Sequence, residues 1–476
     1  MRTSRWAIFG LLLALTPLAA RAEEPSRLPG TSPLTLEGDV AATLVDGVDR
    51  FLLRKTAESV AGRARYWKRD YSSRAAYEKS VEPNRKRLAH ILGVRDPRVP
   101  FDAPELVGTT ASPALVGKGP NYEVFAIRWP AFGDVHGEGL LLVPTGRPKV
   151  ADVVAIPDAD QTPEQIVGLA PGVAAESQYA RRLAESGCRV IVPTLIDRRL
   201  ESRNGRVKLT TREFLYRPAF ELGRHLIGYE VQKVLAAVDW FARDAKGGDP
   251  KIGVFGWGEG GMLAFYSGAL DTRIDAVGVS GYFGPREGLW QEPIDRNVFG
   301  LLEQFGDAEI ASLIAPRTLK ADTAKGPEVV VEPGNGGGPG RITTPVLRAA
   351  LDEFWRYGSI VADLERHPNN GGLMAEADLP PGSSDLVQVE VKALDSSAKP
   401  SDDDEAPKAT APLPDAEARQ ARQVHEIDRH NQRLLVESAY VRQEYFKGLD
   451  TSSLDAFKKT IEPYRTAFRD DVVGRF

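Results

Sequence analysis

A single cysteine, Cys188, stands in 476 residues. One thiol excludes an internal disulfide and any cysteine metal cluster. Its setting, Glu185-Ser186-Gly187-Cys188-Arg189-Val190, at a turn entering an apolar strand, reads as a small buried residue with nothing nearby to lower its pKa. Basic excess is also lacking: 61 Lys and Arg against 66 Asp and Glu leave a net charge of -5, which argues against nucleic acid as a partner. Beyond the N-terminus no run approaches the roughly 20 apolar residues of a membrane span, so none is expected in the mature chain. Histidine is scarce, with six: His90, His136, His225, His367, His425 and His430. His425 and His430 stand five apart on a predicted helix and do not share a face as an i, i+4 metal pair would. No metal and no cofactor is expected. The glycine-rich stretch 334–340 has no Lys-Ser/Thr to make it a phosphate loop and reads as a flexible loop.

What is present begins with an export signal. Arg2 and Arg5 charge the start, residues 6–15 are mostly apolar, and Ala20-Arg21-Ala22 offers small residues at a cleavage point, so residues 1–22 are expected to be removed and the protein to be periplasmic or secreted. Roughly 450 residues remain, enough for two to three domains, and 42% hydrophobic content supports a large core. Residues 36–98 form a helical leader, with apolar positions at Val45, Val48, Phe51 and Leu52. Residues 110–385 alternate strands (122–129, 140–144, 153–156, 189–193, 252–255, 276–280) with helices (172–186, a stripe from Leu226 to Phe241, and 262–270). That alternation predicts an α/β domain, a mostly parallel sheet with helices on both faces. Residues 386–413 read as an acidic, proline-containing linker with the run Asp402-Asp403-Asp404-Glu405, and a helical pattern resumes over 415–446.

The last region repeats the first. Asp49, Arg50, Arg54, Glu58, Ser59 and Arg63 recur as Asp428, Arg429, Arg433, Glu437, Ser438 and Arg442, an offset of 379 (428 minus 49). One residue of slip later, Asp70, Ser72, Ser73, Ala76, Lys79, Glu82, Pro83 and Arg85 recur as Asp450, Ser452, Ser453, Ala456, Lys459, Glu462, Pro463 and Arg465. The period spans a leader plus an α/β domain. Residues 414–476 are therefore expected to be the leader of a second, truncated repeat, whose own α/β domain is missing from this chain.

The chemistry turns on Gly253-Val254-Phe255-Gly256-Trp257-Gly258-Glu259-Gly260-Gly261. In a nucleophile elbow, Gly-x-Ser-x-Gly, a strand turns sharply into a helix and lifts one reactive side chain, with small residues two places to either side. Gly256 and Gly260 hold the flanks, and the apex is Gly258, which has no side chain. With Tyr229-Glu230-Val231 upstream and Ile314-Ala315-Pro316-Arg317-Thr318-Leu319 downstream, the segment resembles the α/β-hydrolases of the acetylxylan esterase and dienelactone hydrolase type over roughly residues 122–319. The resemblance implies an acid after the strand that the Ile-Ala-Pro-Arg segment enters and a histidine one helix later, and it maps the nucleophile to Gly258.

Among substitutes, Glu259 sits one position late, with Trp257 where a small residue is needed, and its bland role is a carboxylate at a helix start. Ser280 ends the next strand on the side where such sheets place ligands. Asp322 and Glu332 are the candidate acids and His367 a candidate base, though a base has no task without a hydroxyl to deprotonate. Asp158, Asp160, Gln161 and Trp257 are the expected pocket lining. Two functions follow: a non-catalytic binding or scaffold half of a tandem hydrolase, taking a small ester or carbohydrate ligand; or an active carboxylic-ester hydrolase of the acetyl ester or acetylxylan type that uses a non-standard residue.

Overall fold

The computed structural model describes residues 29–32, 35–334, 336–364, 371–376, 378–401 and 405–475. The signal peptide 1–22, His367 and Asp402 to Asp404 lie outside the described residues. By compactness the chain divides into Met1–Lys55 and Thr56–Phe476, so the boundary falls inside the expected leader. The first unit carries most of helix α1 (Val40–Gly62), which Asp39 starts by accepting the Ala42 N–H at 3.0 Å.

In the second unit, α2 (Arg74–Ile91) starts at Ser73, whose hydroxyl accepts the Ala76 N–H. That contact satisfies one of the orphan donors of a first turn. The chain then builds a sheet from β1 (Leu115–Lys118), β2 (Tyr122–Phe132), β3 (Val135–Pro144), β4 (Asp152–Ile156) and β5 (Arg189–Pro193). Helix α3 (Leu226–Asp244) leads into β6 (Ile252–Trp257), α4 (Glu259–Leu270) and β7 (Ala276–Ser280). Helix α5 (Asp307–Ile314), β8 (Thr318–Asp322), β9 (Gly371–Met374), α6 (Ser384–Leu394) and β10 (Lys408–Ala409) follow. The chain closes with α7 (Ala416–Tyr445) and α8 (Leu454–Ala467).

The strand order is β9-β8-β7-β6-β4-β5-β3-β2-β1-β10, with Glu105–Leu106 also paired to β2. From β9 through β5 the strands run parallel, and β3, β2, β1 and β10 are antiparallel additions. Strands β4 and β7 are buried at every position, because helices cover both faces, and such strands read as continuous apolar runs. Cys188 is fully buried beside them, and burial, with Glu390 and Asp152 adding to it, pushes its thiol up to about 12.

The linker expected over 386–413 begins later than composition suggests. Helix α6 fills 384–394, and its Leu386, Val387, Val391 and Leu394 are buried in the same cluster as Val153, Val190 and Phe255. The apolar i, i+4 spacing outweighs the shift toward polar residues. Lys408 and Ala409 then pair with β1. The expected loop over 334–340 runs into the strand Gly340–Ile342, which pairs with Val329–Val331. The predicted helix over 172–186 is shorter, Tyr179–Glu185 after a single turn at Ala175–Ser177.

Helix α7 lies on this unit over its first half. Arg419 pairs with Glu164 at 2.8 Å, Arg422 with Glu138 at 2.8 Å, and the Tyr229 hydroxyl donates to Asn431 at 2.6 Å. From Gln432 to Tyr445 no residue of the helix is buried. The two expected leaders share local chemistry. Ser72 N–H donates to Asp70 at 2.9 Å and Ser452 N–H to Asp450 at 2.8 Å; Asp70 N–H donates to Ser80 and Asp450 N–H to Thr460, both at 3.0 Å. They differ in burial: Tyr77, Val81 and Leu88 of α2 are wholly buried, while α8 has no buried residue.

Leu88→Ala should therefore cost about 2–5 kcal/mol in urea unfolding, whereas Phe468→Ala at the equivalent position should stay within about 0.5 kcal/mol. A second expectation concerns Glu390 on α6, whose oxygens have no hydrogen-bond donor among the described residues. Burial, opposed in part by Lys320, raises its carboxyl from 4.5 to about 8. Between those values the folded protein keeps a proton that the unfolded chain has released, so stability falls as pH rises through the window. Glu390→Gln should remove that fall, read from urea midpoints at pH 5 and pH 8.

Candidate functional site

The elbow forms as the glycine spacing predicts. Strand β6 ends at Trp257, α4 begins at Glu259, and Gly258 between them has φ 60 and ψ -117, a conformation that residues bearing a Cβ reach only under strain. A Cβ on Gly256 would lie 2.2 Å from the Gly260 carbonyl, and one on Gly260 would lie 2.0 Å from the Ile156 oxygen. The flanking glycines are thus enforced by close approach of three backbone segments. Gly258 N–H donates to the Ser280 carbonyl at 3.1 Å, which fixes the apex against β7.

The space above the apex is filled. A Cβ at position 258 would meet Asp158 Oδ1 at 2.8 Å and Pro327 Cδ at 2.7 Å. The same Asp158 oxygen accepts the N–H of Glu259 at 2.9 Å. In an elbow this N–H, from the residue after the nucleophile, is an oxyanion-hole donor. Here it serves a resident carboxylate.

Asp158 and Glu259 belong to one buried ionic cluster. Arg198 reaches Asp158 at 2.6 Å, Asp160 at 3.0 Å and Glu259 at 3.1 Å. Arg212 reaches Glu259 at 2.8 Å, Glu230 at 3.0 Å and Asp295 at 2.8 Å, and also donates to the Ile196 carbonyl. Arg296 pairs with Glu259 and with Glu292. Three guanidiniums thus face four buried carboxylates, Asp158, Glu230, Glu259 and Asp295. Burial alone would raise the Glu259 carboxyl; Arg212, Arg296 and Arg198 overcome it and hold the group at about 2. Burial likewise opposes ionisation of Asp158, and Arg198 outweighs it, leaving the carboxyl below its usual range. Glu259 is a permanent anion engaged by three cations, a poor nucleophile and a poor base.

The remaining sequence candidates have structural partners. The wholly buried Ser280 hydroxyl accepts the Gly382 N–H at 2.8 Å. Asp322 ends β8, where an acid is expected, and its Oδ1 accepts the N–H groups of Gly281 (3.0 Å) and Ala324 (3.1 Å). Burial raises its carboxyl to about 6 despite these donors. Gln161 closes the Asp158 loop by accepting the Asp158 N–H at 3.2 Å, and the Trp257 indole donates to the Lys325 carbonyl at 2.9 Å. His367 precedes strand β9 in the chain, so the last parallel strand comes after it, and residues 375–383 beyond that strand contain no histidine. His225 serves as the N-cap of α3, accepting the Ile227 N–H at 3.1 Å, and burial lowers its pKa to about 4.

A cleft of about 310 Å³ opens beside the apex, lined by Gly258, Tyr282, Arg286, Arg296, Pro327 and Arg341 among others. Asp158, Asp160, Gln161 and Trp257, the expected lining, serve the ionic cluster and the loops around it instead. Sequence reading missed Arg198, Arg212 and Arg296. They stand 61, 47 and 37 residues from Glu259, and no spacing rule joins such positions; a glutamate at the head of an otherwise apolar and glycine-rich helix was the one available signal.

This is the α/β-hydrolase fold. No family model matches the chain, and no curated protein matches it. Solved structures that resemble it include a candidate acetyl xylan esterase from Bacteroides fragilis NCTC 9343, at 16% identity, covering 71% of this chain and 83% of that one, with a TM-score of 0.47. A glucuronoyl esterase from Solibacter usitatus gives 13% identity, 68% and 94% coverage and a TM-score of 0.43. A CE15 glucuronoyl esterase from Teredinibacter turnerae T7901 gives 12%, 67%, 84% and 0.40. These are likenesses of fold, and what this site can do follows from its own residues. No helix among the described residues is long and apolar enough to cross a membrane, and no acidic or histidine cluster among them could hold a metal.

Glu259→Gln removes the central anion and leaves three buried guanidiniums short of countercharge, which should cost about 3–5 kcal/mol in chemical unfolding. The carboxyl lies at about 2 against an ordinary 4.5, so its contribution is present above pH 4.5 and lost as pH falls toward 2. The acid limb of the stability curve should therefore be shallower in the variant than in the parent.

Proposed function

We propose that this chain is the non-catalytic half of an exported, tandem hydrolase of esterase type, retained to bind a ligand and to carry a second module. The observation that supports this is the occupied elbow: the Asp158 carboxylate takes the Glu259 N–H and would stand 2.8 Å from a Cβ at position 258. An acyl group has no nucleophile to receive it, and the amide that would stabilise its oxyanion is already paired with a negative charge. Export is supported by Arg2, Arg5 and the apolar stretch that follows them. The second module is supported by the repeated leader with its equivalent caps. The cleft beside Gly258, whose lining includes Arg286, Arg341, Glu287, Glu292, Thr343 and Thr344, suits a small, polar ester or carbohydrate ligand.

Hydrolysis of a short-chain aryl acetate by the purified protein tests the reading. The parent should not exceed an inert control protein, and Gly258→Ser should remain equally silent, since the new side chain meets Asp158 and Pro327 and residues 375–383 after β9 hold no histidine. Turnover in the parent, abolished by a substitution at Ser280 or Glu259, would overturn the proposal.

A further inference from the structure

The first leader shows what its face is built to grip. Arg63, 1% exposed, donates to the Leu302 carbonyl at 3.1 Å and pairs with Glu287 at 2.7 Å. The Tyr77 hydroxyl donates to the Ser312 carbonyl at 2.8 Å. Arg85 reaches the Leu313 carbonyl at 3.2 Å and the Ala269 carbonyl. Leu88 and Leu92 complete the face with no exposure. The acceptors at Ala269 and Leu313 lie near the C-terminal ends of α4 and α5, where helix carbonyls lack intrahelical partners and the dipole favours a cation.

The second leader carries the same set of groups, none of them buried. Arg442, Phe457, Ile461, Arg465, Phe468 and Val472 stand where Arg63, Tyr77, Val81, Arg85, Leu88 and Leu92 stand in the first, at offsets of 379 for Arg63 (442 minus 63) and 380 for the rest (465 minus 85). Arg442 donates to Ser438 of its own helix at 3.1 Å. Arg465 pairs with Glu462 at 2.8 Å, as Arg85 does with Glu82 at 3.3 Å, but reaches no carbonyl beyond its helix among the described residues. Phe468 is 61% exposed and Val472 64%. Tyr445, Phe446 and Tyr464 add a cluster with ring centroids 4.9 to 5.1 Å apart, of which Tyr445 is 53% exposed. Contiguous exposed apolar groups on this scale mark an interaction surface.

We propose that the C-terminal half of α7 together with α8 is a docking surface for a second α/β unit of this fold. The surface would receive the equivalent of the α4 and α5 ends, with Arg465 on two helix-end carbonyls, Arg442 on a carboxylate equivalent to Glu287, and Phe457, Ile461 and Phe468 in the apolar contact. The proposal rests on reading residues 414–476 as a second leader. Another copy of this chain is a poorer occupant, because its own α4 and α5 ends are already covered by its α2.

A chimera in which residues 97–396 are repeated directly after Phe476 restores the spacing between leader and unit. In the unextended protein, amide hydrogen exchange across 454–467 should be fast; in the chimera it should slow by about tenfold or more, approaching that of α2. Arg465→Glu in the chimera should return the fast exchange without affecting the first unit. Fast exchange in the chimera overturns the proposal, and so does an added unit that stays unfolded while the first is folded. Slow exchange in the unextended protein, together with a doubled solution mass, would assign the surface to a second copy and overturn the choice of occupant. Ester turnover by the unextended chain would sink the non-catalytic reading while leaving the docking result intact, so the two fail separately.

Discussion

The centre of this molecule is a carboxylate that cannot leave. Glu259 heads α4 inside a volume closed to water, and its charge is tolerable there only because Arg198, Arg212 and Arg296 converge on it. Each of those arginines comes from a different loop or helix, so the ion cluster clamps the loop after β5, the helix Thr211–Glu221 and the turn Ile294–Arg296 around the end of the sheet. A buried ion cluster is weak evidence of net stability, but breaking one is costly. The arrangement therefore fixes geometry more than it deepens the free-energy well. The cluster is the keystone of that end of the sheet.

Much of the fold could be read from the chain. The parallel strands announced themselves as apolar runs, and the elbow by its glycines, because both depend on local chemistry: a strand covered on two faces has no polar side, and a turn in which backbones approach within van der Waals contact admits no Cβ. The helix Ser384–Leu394 was obscured by its neighbours. Proline, serine and acid on either side suggested a solvated linker, while four apolar residues at helical spacing sufficed to seat it beside β7 and β8. Composition averaged over a window loses to periodicity within it.

The site was legible only in outline. Gly258 showed that the apex carries no side chain, and that is a statement about one position. That Asp158 occupies the space above it depends on where the loop after β4 turns, and the three arginines depend on long-range topology that no spacing encodes. Ser280 and Asp322 stood at strand ends where chemistry is often placed, yet each is committed to backbone amides of neighbouring loops. A strand end supplies a location, and only the partners supply a role.

The backbone at Gly258 has a consequence for what the apex can accept. Holding a side chain at φ 60 and ψ -117 costs an ordinary residue about 1–3 kcal/mol, an expense that an enzyme bears in exchange for reactivity. Glycine abolishes it. A side chain placed at 258 would meet that cost and the Asp158 carboxylate together, with the carboxylate oxygen 2.8 Å from its Cβ. The turn and the carboxylate above it therefore set a single condition, and any substitution at the apex has to satisfy both at once.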